Sequence, residues 1–271
     1  MSRGLIAKTA RDALVLFLLV AAGILIFEAL LVLVFGALSE QVLDIWARIP
    51  FVQRLLKALI GVDVTGEVTL ASLLSLGLVH PILFALLWSF EVTMCTRVIL
   101  GEIESGTADL LLALPMSRAR VYASVSVVWI AAGALLCCMI WVGLALGTLL
   151  FATPEPVPLA RFGKPLLNLF ALYVAIGCGT MCVSVFCVRR GPAIAMVLAV
   201  LLASLLVEFV AAFVPSLERM RFVGLLAYYD PAEIVRSGRL PPLDLAVLAI
   251  GAASAWALGL WRFNTRDIPA A

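Results

Sequence analysis

Three acids (Glu102, Glu104, Asp109) and two arginines (Arg118, Arg120) are gathered in one stretch, Gly101–Tyr122, which reads GEIESGTADLLLALPMSRARVY. It separates two long apolar runs. It is too charged to cross a bilayer and too patterned for a plain turn. It reads as a segment held at a membrane surface, where a partner can push on it. Ser105-Gly106-Thr107 permits a sharp corner, since glycine tolerates backbone angles other residues avoid. Thr107 is a good N-cap, and Asp109 in the first turn complements the helix dipole. Ala108–Leu114 is rich in helix formers, and Pro115 stops the helix. Ser117 is placed to cap the next long helix, whose start carries Arg118 and Arg120. Leu110, Leu111, Leu112 and Leu114 exceed what one buried face needs. They suit an apolar knob for a soluble partner, or an amphipathic helix resting on lipid.

Other residues with chemical potential lie inside apolar runs. Glu28, Glu91 and Glu208 each interrupt one. Carboxylates at such depth are expensive and face a bundle interior or a wet cavity. Pairing of Glu91 with Arg97 is an alternative, although six residues is a poor spacing on one helix. His80 is the only histidine and makes no metal or catalytic cluster; a packed, hydrogen-bonded helix residue is the expectation. Cys178 and Cys182 are one helical turn apart, conceivable as a soft-metal pair but better read as small apolar packing. All six cysteines fall in apolar runs, so no disulfide framework is expected. The sequence has no G-x-x-x-x-G-K-[ST] phosphate loop, no G-x-S-x-G elbow and no H-E-x-x-H pair. Gly163-Lys164 is followed by proline and lacks the upstream glycine. The expectation is therefore no catalytic residue, no metal and no cofactor in this chain.

The elements that position these groups are membrane helices. Of the 271 residues, 64% are hydrophobic and 13% charged, and mean hydropathy is +1.16. Soluble domains average about 45–50% apolar and about 25% charged. Several runs exceed the roughly 20 residues that cross a bilayer. Net charge is +2, so nothing points to nucleic acid. The pattern predicts an all-α polytopic membrane protein, one membrane domain over 1–271. Its spans are expected near 13–38, 72–98, 123–152, 166–188, 193–214 and 243–261. The first run is longer than the 7–15 residues or so of a signal-peptide core, so it reads as a retained span.

Met1–Asp12 is basic and suits an interfacial entry helix. Ser39–Ala71 is polar with helical spacing (Val42, Ile45, Trp46, Ile49, Val52, Leu55, Leu56, Leu59). Pro50 divides it, and the segment 40–60 suits outer helices lying in the headgroup plane or packed over their own bundle. The third span is longer than the hydrocarbon and carries Gly143-x-x-x-Gly147, a spacing that lets helices approach closely. Thr153–Lys164 and Pro215–Pro242 read as loops, and Arg189-Arg190-Gly191 as a tight turn with Pro192 in the first turn of the fifth span. With the N-terminus inside, Arg3, Lys8, Arg11, Arg97, Arg118, Arg120, Arg189, Arg190, Arg262 and Arg266 face the cytoplasm. That is a modest excess among 19 lysines and arginines, with the sign the positive-inside rule requires.

The string E-x-E-S-G-T-A-D-L-L-L-A-L-P-M-S-R resembles the coupling-helix region of type-2 ABC exporter permeases. There a Glu-rich segment, a Gly-Thr pair, a leucine run, a proline and a Ser-Arg pair lie between the second and third spans. The match falls on Glu102, Glu104, Gly106, Thr107, Leu111, Leu112, Pro115, Ser117 and Arg118. Tyr229-Asp230-Pro231 and Phe263–Ile268 are weaker echoes of the same family. The entry segment departs from it: Lys8 and Arg11 are present, but the family's frequent Lys-Glu pair is not.

The resemblance implies the permease subunit of an ATP-driven exporter in a bacterial cytoplasmic membrane, both termini cytoplasmic. Its partners would be a cytoplasmic ABC ATPase docked on Gly101–Arg118, a second permease subunit (a copy or a related chain) and membrane lipid. It also implies that the first, second and fifth spans lie near the pathway, so that Glu28, Glu91 and Glu208 line it. Two other readings stand beside it: a secondary transporter driven by an ion gradient through those acids, and a non-transporting membrane assembly factor.

Overall fold

The computed structural model of the chain describes residues 3–37, 69–97, 100, 117–214 and 221–266. Every regular element among them is helical: α1 (Arg3–Gly36), α2 (Leu70–Gly77), α3 (Pro81–Thr96), α4 (Arg118–Leu150), α5 (Gly163–Phe186), α6 (Arg190–Phe213), α7 (Pro231–Ser237) and α8 (Pro242–Thr265). Short 3₁₀ turns at Leu159–Phe162 and Leu225–Tyr228 precede α5 and α7. Six segments are long and apolar enough to cross a membrane: α1, α2 with α3, α4, α5 with its leading turn, α6 and α8. The protein is an all-α polytopic integral membrane protein.

Its surface supports this as much as its helix lengths. Val15 is 70% exposed, Leu149 81% and Leu243 74%, amid many other outward-facing large apolar side chains. A water-soluble monomer does not tolerate that much contiguous apolar surface. In lipid it costs nothing, and the helices satisfy their own backbone polar groups. The interior is filled by large side chains, with Trp129, Tyr122, Tyr173, Phe90 and Phe162 fully buried.

The spans alternate in direction. The chain's first and last described residues, the end of α3 and the start of α4 therefore share one end of the bundle, called here the near end. α1 and α4 run side by side in the same direction, and glycines set their separation. A Cβ on Gly143 would lie 2.8 Å from Glu28 Cβ and 3.3 Å from Leu25 Cα; one on Gly147 would lie 2.7 Å from Val32 Cβ. The Gly143-x-x-x-Gly147 pair is thus the floor on which the far half of α1 rests. Dispersion between closely packed backbones drives such contacts, because lipid removes the hydrophobic advantage of burial.

Several boundaries differ from the sequence expectation. The basic entry segment is no separate interfacial helix: it continues without a break into α1, a single helix of 34 residues. The second span is two helices, not one. The chain breaks at Leu78–His80, where Pro81 begins α3 and His80 Nδ1 accepts the Ile82 N–H at 3.2 Å. Proline disfavours helix in the residue before it, which ends α2. The break is held from outside by Tyr229, whose hydroxyl donates to the Leu78 carbonyl at 3.2 Å. The two loops also hold more structure than expected. The proline-rich one ends in the turn Leu159–Phe162, and the later one contains α7. There Asp230 accepts the Glu233 N–H at 3.0 Å, Pro231 occupies the first turn, and Gly238 closes the helix at φ +65°. The sixth span runs a turn beyond Trp261, to Thr265.

Candidate functional site

Of the residues expected to meet an ATPase, Glu102, Glu104, Gly106, Thr107, Leu111, Leu112 and Pro115 lie outside the described residues, as does the segment 40–60. The helices on either side are described. Ser117 caps α4 as its sequence position predicted, its hydroxyl oxygen accepting the Arg120 N–H. Arg118, one residue on, reaches across to the end of α8 and donates to the carbonyls of Phe263 (3.3 Å) and Arg266. Arg266 is itself buried and donates to the Val185 carbonyl, in the last turn of α5, at 3.0 Å. α4, α8 and α5 are thereby tied at the near end.

A second set of ties gathers the other three spans. Arg97, at the end of α3, donates to the Asp12 carbonyl of α1 at 3.0 Å. Arg190, at the start of α6, donates to Thr96 Oγ1 at 3.0 Å and to the Thr93 carbonyl at 3.3 Å. The last carbonyls of a helix lack intrahelical donors and carry its negative pole, which makes them good arginine acceptors. The segment 101–116 therefore joins two arginine-tied groups, α1/α3/α6 on one side and α4/α5/α8 on the other. Arg118→Ala is expected to cost about 1–2 kcal/mol by stranding α8's terminal carbonyls. Arg120→Ala, whose side chain is exposed, is expected to change stability little. Thermal unfolding of both variants in detergent checks this.

Glu91 lies where the two groups meet. It is fully buried, and among the described residues neither carboxylate oxygen has a hydrogen-bond partner. The Gly177 backbone of α5 approaches it without forming a good hydrogen bond: a Cβ on Gly177 would lie 2.7 Å from Oε1 and 2.5 Å from the Trp129 ring. Arg97 is not its partner, because that guanidinium turns to Asp12. Ser184 Oγ donates weakly across the same seam to the Cys95 carbonyl, at 3.4 Å. Glu28 occupies the far half of the α1–α4 seam. It is also fully buried, with both oxygens unpartnered among the described residues, and Oε2 lies 3.8 Å from where a Gly77 Cβ would stand. Both acids are inside the six-helix body of one chain.

Glu208 is different. It sits near the far end of α6 and pairs with Arg221, a partner that spacing in sequence did not suggest; Arg221 Nε lies 2.6 Å from Oε1. The pair borders a cleft of about 270 Å³ between the α2–α3 break, α6 and the start of α7. Asp230 stands on the same cleft. Burial pushes its carboxyl above the usual carboxylate range, offset in part by the Glu233 N–H and Arg221.

The remaining candidates sit within the helix packing. His80 caps α3 and packs its ring 5.1 Å from that of Phe27. All six cysteines are free thiols. Cys178 and Cys182 gain no third ligand, and among the described residues no cluster of three His, Cys, Asp or Glu forms. Trp129 directs its indole N–H at the Met181 sulfur, 3.0 Å away, and the Ser126 hydroxyl donates to the Tyr122 carbonyl at 2.9 Å. No family model matches the chain, and no curated protein is similar to it.

Proposed function

We propose that the chain is the permease subunit of an ATP-driven ABC exporter, working as a dimer with a separate ATPase bound at residues 101–118. The observation that supports this reading is the placement of the helices that flank that segment in sequence. α3 and α4 are each fastened by arginines to a different group of helices. A push on a short link between two such groups shifts one against the other instead of being absorbed by a single loose helix. The α1–α4 glycine seam fastens the groups at the far half, so the shift is largest at the near end, where the contacts include the weak Ser184–Cys95 bond and Glu91. In this reading the near end and both termini face the cytoplasm, and the energy comes from the partner's ATP.

The test is to replace Glu102 and Glu104 by arginine, separately and together. Charge reversal is expected to abolish co-purification of a partner ATPase and the stimulation of its turnover, while membrane insertion and thermal stability persist. Retention of both by the double variant sinks the docking assignment.

A second reading has its own observation. Two fully buried, unpartnered carboxylates, Glu28 and Glu91, are the groups an ion-coupled secondary transporter needs. Transport in vesicles separates the two. Under the first reading it stops on ATP depletion and survives collapse of the proton and sodium gradients; under the second the reverse holds.

A further inference from the structure

The cleft at the far end has two chemically distinct parts. Its walls are apolar: Leu76 and Val79 at the helix break, Phe84 of α3, Leu205 and Phe209 of α6, and Leu226 of the 3₁₀ turn. Its charged groups among the described residues are Glu208, Arg221 and Asp230, and Ser75 and Tyr229 also line it. Among these, Glu208 uses one oxygen on Arg221, while Oε2 is shut off from solvent and has no hydrogen-bond partner. A buried acceptor left without a donor is costly, and a ligand donor removes that cost. At about 270 Å³ the cleft lies at the lower edge of the roughly 300–1,000 Å³ typical of small-molecule pockets. That suits one alkyl chain or a small ring system and excludes a bulky head. Two carboxylates against one guanidinium favour a cationic donor over an anionic or neutral one.

We infer that this cleft binds an amphiphile with a single apolar tail ending in a protonated amine, the tail among Leu205, Phe209 and Phe84 and the ammonium against Glu208. The inference does not depend on whether the chain exports anything. The same chemistry comes from an amine-headed lipid with one tail inserted or from a free alkylamine.

The probe is a photoreactive dodecylamine, compared with photoreactive laurate of the same tail, on the full chain in phosphatidylcholine nanodiscs. The amine is expected to label peptides covering 205–209 and 226–232, and laurate to label them at least about tenfold less, the size of one charge-assisted hydrogen bond. Glu208→Gln is expected to weaken amine labelling by about the same factor. Leu205→Trp keeps the Glu208–Arg221 pair but fills the cleft, and is expected to abolish labelling. Both variants are read only where their thermal midpoint matches the parent, and Ala232→Leu replaces either one that unfolds. Loss of labelling in nanodiscs containing phosphatidylethanolamine identifies the lipid as the source; undiminished labelling identifies the free amphiphile. Equal labelling by amine and laurate, or labelling that survives filling of the cleft in a folded variant, overturns the inference.

Discussion

Gly143→Leu is expected to be the most damaging single substitution in the far half of the bundle. The first atom of a new side chain would stand 2.8 Å from Glu28 Cβ and 3.3 Å from the backbone of Leu25. Real side-chain carbons do not approach as closely as 2.8 Å, and the obstacle is a Cβ fixed to the α1 backbone, with Leu25 backbone just behind it, rather than the tip of a flexible group. Relief requires α1 to move away from α4, which loses the Gly147–Val32 contact as well. Overpacking of a filled core costs about 1–3 kcal/mol and more where backbone must shift. In lipid no gain in apolar burial compensates, because the displaced α1 only exchanges helix for hydrocarbon. The expected result is a thermal midpoint in detergent lower by about 5 °C or more, with a reduced yield of folded protein. Gly251→Ala is the control: on α8 nothing lies within 4 Å of a new Cβ, so better helix propensity is expected to leave stability unchanged or raised by up to about 1 kcal/mol. Equal losses for both variants mean that glycine content, not the α1–α4 seam, sets the stability.

The contrast between those two glycines shows how far the sequence carries. Gly143 and Gly147 are four residues apart on an apolar run, a spacing that by itself predicts a close helix contact; which helix fills it depends on packing. The six spans were legible for the same reason, since long apolar runs with few charges have no other stable place. Ser117 was legible because capping is local. The break at Leu78–His80 was legible only as a His-Pro pair near a helix end. Its persistence inside a membrane span depends on Tyr229, 151 residues away, which supplies the donor the freed carbonyl needs.

The arginines were visible as a charge bias and nothing more. Arg118 finds its acceptors at Phe263 and Arg266, 145 and 148 residues on, and Arg266 finds Val185, 81 residues back. Positive-inside counting treats such residues as free charges in water; here they also staple helix ends. Glu208 shows the converse. Read as a lone acid in an apolar run, it invited a pathway role, yet it lies close enough to the helix end for Arg221 to reach it over the loop. A loop of that length holds its partner in no fixed register, so no spacing rule announces the pair. The candidate coupling segment is a pattern in the sequence whose residues lie outside those described, and the proposal made for it rests on the resemblance of its residues together with the placement of the helices that flank it.

Glu28 and Glu91 carry the second large effect. Each replaces what could be an apolar contact with a carboxylate that has no hydrogen-bond partner. Leaving a buried polar group unsatisfied costs about 1–3 kcal/mol, and more when it is charged. Replacing such a group by an apolar residue of similar shape removes that cost. Glu28→Met and Glu91→Met keep length and flexibility and are expected to raise the thermal midpoint by several degrees, at about 2–4 °C per kcal/mol for a chain of this size. Under either transport reading proposed above, the same variants are expected to lose transport while gaining stability. The pattern of loss then divides the two readings of the protein. If Glu91 acts at the seam between the arginine-tied groups, Glu91→Met is expected to leave ATPase binding intact and lower the transport obtained per ATP. If the two acids carry a coupling ion, either substitution alone is expected to abolish gradient-driven transport, because an ion path broken at one site is broken throughout. Lower stability in both methionine variants overturns the premise, since it requires each carboxylate to have a favourable partner in the membrane.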